Sequence, residues 1–150
     1  MTEQISLRPA TMADAECLLA WRNDEGTRLS SHTSEMIEMA DHLNWLRASL
    51  SREDRHLYIA EQNHQAVGTV RADLAAGKWT LSWTVAPEAR GKGVAHQMLN
   101  GIIKELNSPL LAEVKVGNIA SMKVAERAGF ILEKEDGGVL FYGHTGVSPG

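Results

Sequence analysis

The residues Arg90-Gly91-Lys92-Gly93-Val94-Ala95 place two cations and two glycines directly before an amphipathic run. In that run Val94, Met98, Ile102 and Leu106 recur at helical spacing, with Ala95, Leu99 and Ile103 beside them. On the other side, Trp79, Leu81, Trp83 and Val85 alternate with Lys78, Thr80, Ser82 and Thr84, the period of two that marks a strand, and Pro87 closes it. A turn between a strand and a helix presents unpaired amides and the positive end of the helix dipole. Gly91 and Gly93 carry no side chain, so a ligand can come close to their backbone. Arg90 and Lys92 add positive charge. The chemistry of this segment is anion binding, and a diphosphate is its natural guest.

Two common diphosphate motifs are excluded. A P-loop needs Gly-x-x-x-x-Gly-Lys-Ser/Thr, which is absent, and a dinucleotide fingerprint needs a small residue where His96 stands. The segment resembles instead the Arg/Gln-x-x-Gly-x-Gly/Ala signature of the GNAT superfamily of N-acetyltransferases, carried by Arg90, Gly93 and Ala95. Downstream, Glu113-Val114-Lys115-Val116-Gly117-Asn118-Ile119-Ala120-Ser121, followed by Ala128-Gly129-Phe130, resembles the second GNAT segment. There a strand ends at an asparagine, a helix follows, and Gly-Phe closes the unit.

The resemblance implies acetyl-CoA as cofactor, with the pyrophosphate on residues 90–95. It implies backbone pairing between Val85 and pantetheine, and a hydrogen bond from Asn118 to the same arm. Asn118 also suits a helix N-cap, and the two roles are compatible. Within this family, a group of protein N-terminal acetyltransferases carries its general base at the position of Glu113.

The reaction itself calls for an amine freed of its proton, donors for the oxyanion and an acid for the departing thiolate. Glu113 is the sole ionisable group between Leu110 and Val114, and a carboxylate in an apolar strand can act as a base near neutral pH. Its alternative is a structural pairing with Lys115 or Arg71. Reserves for the base are His56 and Glu61, which flank Leu57–Ala60. Many relatives carry an acidic tyrosine seven residues after the asparagine, but that position is Ala125. Ser121, directly or through water, is then the expected acid, as in the branch resembling ribosomal-protein acetyltransferases, with Tyr142 in reserve. Ser121 is equally suited to a plain place in the first turn of a helix.

On the acceptor side, Leu19-Ala20-Trp21-Arg22-Asn23-Asp24 and His42-Leu43-Asn44-Trp45-Leu46 resemble acetyltransferases of nucleotide-linked amino sugars. Similar segments occur among aminoglycoside and ribosomal-protein acetyltransferases. Trp21 could stack on a sugar or base and Arg22 hold an anion; alternatively Trp21 packs inward and Arg22 pairs with Asp24. The histidines show no metal-ligand spacing, so no metal is expected.

The elements needed to position these groups can be read in order. Ile5 to Arg8 suggests a first strand, and Thr11 with Asp14 a helix-start capping pattern. Cys17, Leu18 and Trp21 share one helical face; Met39, Leu43, Leu46 and Leu50 define a second helix from about Glu35. Strands at Leu57–Ala60, Ala66–Ala72 and Trp79–Val85 form a meander. The 94–106 helix, a strand at Leu110–Val116, a helix at Ile119–Ala128 and two strands about Asp136-Gly137-Gly138 complete the chain. The expected class is α/β in the GNAT fold: a mixed, mostly antiparallel sheet of six to seven strands with about four helices, one domain over residues 1–150, and a loose tail from Gly143.

Bulk properties agree with one ordinary globular domain. Hydrophobic residues make up 43% and charged residues 23%, enough for one core in 150 residues. The net charge of -4 disfavours nucleic-acid binding. The single cysteine, Cys17, suits a reducing compartment, and the absence of a leader or a long apolar run suggests a cytoplasmic protein without membrane contact. The expected partner is a small-molecule amine, most plainly an amino sugar, bound by a monomer or homodimer. A protein N-terminal acetyltransferase and a CoA-binding sensory module without turnover are the rival readings.

Overall fold

The computed structural model of the protein describes residues 4–24, 27 and 36–146. Strand β1 (Ser6–Pro9) runs into a 3-10 turn at Met12–Asp14. The capping pattern is a full capping box: Thr11 Oγ1 accepts from the Ala13 amide at 3.2 Å, and Asp14 Oδ2 accepts from the Thr11 amide at 2.8 Å. Both Asp14 oxygens also accept from Arg8, at 2.9 and 2.8 Å, and this hydrogen bonding holds the Asp14 carboxyl below the usual carboxylate range. Arg8 reaches Glu61 as well, at 3.1 Å, so one guanidinium ties the first turn to the sheet.

Helix α1 (Ala15–Asn23) buries Leu18 and Trp21, while Cys17 is half-buried. Helix α2 (Met39–Leu50) starts later than the sequence suggested; Glu35 lies outside the described residues, and Met36–Glu38 are not helical. Its inward stripe is His42, Leu46 and Ser49, whereas Met39 and Leu50 are exposed. A histidine thus takes the inward place that apolar spacing assigned to its neighbours. It can do so because both ring nitrogens are satisfied. Arginine only donates and a carbonyl only accepts, which fixes the tautomer. His42 Nε2–H donates to the Ala15 carbonyl at 2.9 Å, and Nδ1 accepts from Arg22 at 3.1 Å.

Strands β2 (Arg55–Gln62), β3 (Gln65–Ala75) and β4 (Lys78–Val85) form the expected antiparallel meander. Each connection has two left-handed residues, Asn63-His64 and Ala76-Gly77, as tight hairpins require. Helix α3 (Val94–Leu106) crosses over to β5 (Leu110–Lys115), parallel to β4. Helix α4 (Ile119–Arg127), β6 (Ile131–Asp136) and β7 (Val139–His144) follow. The seven strands lie in the order β1-β2-β3-β4-β5-β7-β6. With the four described helices this is the mixed, mostly antiparallel α/β layout expected. β7 extends beyond the anticipated start of the tail: Gly143 and His144 pair with Leu111 and Leu110. Residues 147–150 lie outside the described ones.

Each face of the sheet carries a core. Leu81, Ala112 and Val114 pack with Leu99 and Ile102 of α3 on one face. Leu57 and Ile59 pack with Leu18, Trp21 and Leu46 on the other. Gly68 lets α3 lie close to the sheet: a Cβ there would stand 2.8 Å from the Thr84 carbonyl oxygen and 2.9 Å from Met98 Sδ.

Candidate active site

β4 and β5 pair over three registers only, Trp79 with Leu110, Thr80 with Leu111 and Leu81 with Ala112. Beyond them the strands part. Thr84 and Val85 continue against β3, while Glu113, Val114 and Lys115 continue against β7. The cleft that opens at this wedge has a volume of about 920 Å³. Val85, Glu113, Asn118 and Ser121 all line it, together with the segment that precedes α3.

That segment has the geometry of an anion cradle. Gly91 and Gly93 hold φ of 77° and 78°, a left-handed backbone that disfavours other residues. A Cβ at either would meet nothing within 4 Å, so the space over the backbone is open. Gly93 is the N-cap of α3, and no side chain caps the amides of the first turn. Gly91, Gly93, Val94 and Ala95 line the cleft, and so does His96. Arg90 lines it too, yet its guanidinium lies 2.6 Å from Asp24 Oδ2 and holds that carboxyl below its usual range. It therefore bridges the cradle to the end of α1, and does not pair Asp24 with Arg22 as the sequence allowed. Lys92 is exposed outside the cleft lining, where its charge acts at longer range.

Asn118 caps α4, its Oδ1 accepting from the Ser121 amide at 3.2 Å. This brings Asn118 and Ser121 to the same edge of the cleft. Tyr142, held in reserve as the acid, is only 1% exposed within the core beneath α3 and α4, away from the cleft lining. Its place on β7 alternates with that of Phe141, which is the residue paired with Glu113. Ala125, where many relatives carry tyrosine, is fully buried.

Glu113 is exposed to the cleft and not buried in an apolar strand; the alternation of β5 explains this. Leu110, Ala112 and Val114 face the core, so Glu113 projects from the opposite face. Ser82 neighbours the Leu81–Ala112 register and pairs with Arg71, which puts Glu113, Ser82 and Arg71 on one face of the sheet. The reserve bases do not reach it: the His56 ring lies against Trp79 at 4.7 Å, and Glu61 pairs with Arg8.

Trp21 is not a substrate platform. It is 5% exposed in the core beneath α1, because Leu18 and Trp21 share the inward stripe of a short helix. Trp45 and Trp83 line the cleft, and so does Arg22, whose guanidinium lies 4.2 Å from the Trp45 ring centre. Arg71 joins them on β3. Both were legible only in part: Trp45 stands in the α2 segment noted for its resemblance, and Arg71 interrupts an apolar strand between Val70 and Ala72.

Comparison with known proteins places this geometry. The family described as acetyltransferase (GNAT) domain matches residues 4–131. No curated protein is a significant sequence match. Among solved structures, a ribosomal-protein-alanine N-acetyltransferase from Brucella melitensis is 26% identical, with a TM-score of 0.80 over 93% of this chain and 99% of that one. A spermidine N-acetyltransferase from Vibrio cholerae, in complex with CoA and spermine, is 17% identical with a TM-score of 0.85 over 95% of both chains. An aminoglycoside acetyltransferase in complex with coenzyme A and kanamycin is 18% identical with a TM-score of 0.83, again over 95% of both. The chain belongs to the GNAT acetyltransferase family and is an acetyl-CoA-dependent N-acetyltransferase.

Proposed function

We propose that the protein transfers the acetyl group of acetyl-CoA to a primary amine on a small molecule, with amino sugars as the first class to test. The observation that carries this reading is the wedge between β4 and β5, with the cradle before α3 on its lining and Glu113 projecting from the α2 side of the sheet. The open backbone at Gly91 and Gly93 and the uncapped first turn of α3 fit a pyrophosphate. The edge of β4 near Val85 and the amide of Asn118 suit the pantetheine arm. Acetyl-CoA supplies the activated acyl carbon as a thioester.

In the reaction the amine nitrogen bonds the acyl carbon, the carbon–sulfur bond breaks, and the sulfur leaves as thiol. Glu113 accepts the proton that the amine must lose, directly or through water. Ser121 stands at the Asn118 edge and is assigned as the hydroxyl that returns a proton to the sulfur.

A peptide N-terminus is the second reading, and the Brucella melitensis ribosomal-protein acetyltransferase, 26% identical to this chain, favours it. The decisive experiment measures thiol release from acetyl-CoA across a panel of amines: free and nucleotide-linked amino sugars, aminoglycosides, polyamines and peptides with free N-termini. Amine-dependent release with an amino sugar supports the proposal. Release with peptides alone assigns the second reading, and binding of acetyl-CoA without any amine-dependent release contradicts both.

A further inference from the structure

The acceptor side of the cleft carries more positive charge than its neighbours balance. Three arginines converge on the Trp45 ring, with guanidinium carbons 4.2 Å (Arg22), 5.8 Å (Arg55) and 5.9 Å (Arg71) from its centre. One carboxylate, Asp73, accepts from both Arg55 and Arg71. Among the described residues Arg22 has no carboxylate partner; its hydrogen bond goes to the imidazole of His42. That imidazole is neutral by its own geometry, since Nε2–H donates to the Ala15 carbonyl and Nδ1 is the acceptor. Burial lowers the pKa of Arg22 and Arg71 below the ordinary arginine value, and their mutual repulsion lowers that of Arg22 further.

Two half-buried guanidiniums side by side are costly to hold. A cation–π contact offsets only part of that cost. An anion entering the cleft would give Arg22 the counter-charge it lacks and would share Arg71 with Asp73; both arginines line that cleft. Glu113 lies on the same sheet face and gives the cleft opposite polarity at a second point. An amine belongs near Glu113, and an anion belongs near the arginines.

Resting on the acetyltransferase reading above, we propose that Arg22 and Arg71, set around Trp45, form an anion-recognition subsite, and that the acceptor is a small molecule bearing both a primary amine and a phosphate or carboxylate. Polycations are disfavoured acceptors, because the same arginines repel them. The fork of each guanidinium matches either oxyanion, and a phosphate gains more from two arginines than a carboxylate does.

The test compares acceptors matched except for the anion: glucosamine, glucosamine 6-phosphate, glucosaminic acid and spermidine. The predicted result is a kcat/KM for the phosphorylated or carboxylated amine at least tenfold above that for glucosamine, with spermidine the poorest. Arg22→Gln and, independently, Arg71→Gln should each cut that preference about tenfold, chiefly through KM. Arg71 sits on a central strand, and Arg55 still holds Asp73 in its absence, so the second variant remains informative if the first fails to fold. Calorimetry on CoA-saturated protein, with the cradle already filled, separates the two claims. Binding of glucosamine 6-phosphate that is lost in both variants, without turnover, supports the subsite and overturns the catalytic reading. Turnover of glucosamine and spermidine with no preference for the anionic amines overturns the subsite and leaves catalysis standing. Preference for an acidic peptide over every small anionic amine also overturns the small-molecule proposal.

Discussion

At the scale of single residues, Glu113 carries the heaviest assignment. The sequence presents it as an ionisable group in an apolar strand. Alternation along β5 turns it out of the core and into the cleft. Glu113→Gln preserves shape and removes the basic carboxylate, so turnover should fall by roughly a hundredfold or more at neutral pH. CoA affinity should hold within about twofold, because the cradle lies on another element. An amine already deprotonated at high pH should partly rescue the variant. Near-normal turnover at neutral pH would make Glu113 structural. Trp21 shows the limit of motif reasoning at this scale. Tryptophan beside arginine suggested a platform, yet a helix of nine residues has one inward stripe, and Trp21 lies on it. The neighbouring side chains each reach a different element: Arg22 to His42, Asn23 to the Ile37 backbone, and Asp24 to Arg90. Such partners are distant in sequence, and spacing alone could not name them.

At the scale of elements, the cradle was legible because its requirements are local. A strand, two glycines and an amphipathic helix sit in one run of residues, and the structure gives both glycines the left-handed backbone such a turn needs. Gly93→Val should weaken CoA binding at least tenfold, about 1.4 kcal/mol, by filling the space a pyrophosphate needs. The substitution also strains a backbone at φ 78°. Gly77→Val is the matched control: it has φ of 77°, open space around it, and a place in the hairpin between β3 and β4. The control should lose similar stability and keep CoA affinity; equal affinity in both variants would move the diphosphate elsewhere. The α1–α2 junction was not legible, since a buried histidine replaced the expected apolar contact. Burial, with Arg22 nearby, pushes His42 below its ordinary value of 6.5. The unfolded chain therefore binds the proton more readily than the native one. The stability this confers is complete above about pH 6.5 and is lost as the pH falls below it. His42→Gln keeps a donor and an acceptor without the titration. Denaturant unfolding between about pH 7 and pH 5 should show a steeper loss in the wild type than in the variant. Parallel curves would contradict this account of the junction.

At the scale of the whole molecule, the order of the described elements was legible because most of them have a clear period, although the start of α2 and the end of β7 were not. Two features escaped. β5 inserts between β4 and β7, which leaves β6 at the edge, and this order depends on long-range pairing. The parting of β4 and β5 depends on where pairing stops, and no periodicity records that. The wedge unites the cradle, Asn118, Ser121 and Glu113 into one cleft, so the central claim is that this cleft takes acetyl-CoA. Thermal unfolding with increasing acetyl-CoA tests it most directly. A ligand at a hundred times its Kd adds about 2.7 kcal/mol to native stability, which for a domain of this size is a rise in Tm of roughly 5–10 °C. A saturable rise of that order is expected in the wild type, and in Gly93→Val a rise displaced to at least tenfold higher acetyl-CoA. An intact fold whose Tm does not move at millimolar acetyl-CoA would contradict the central claim.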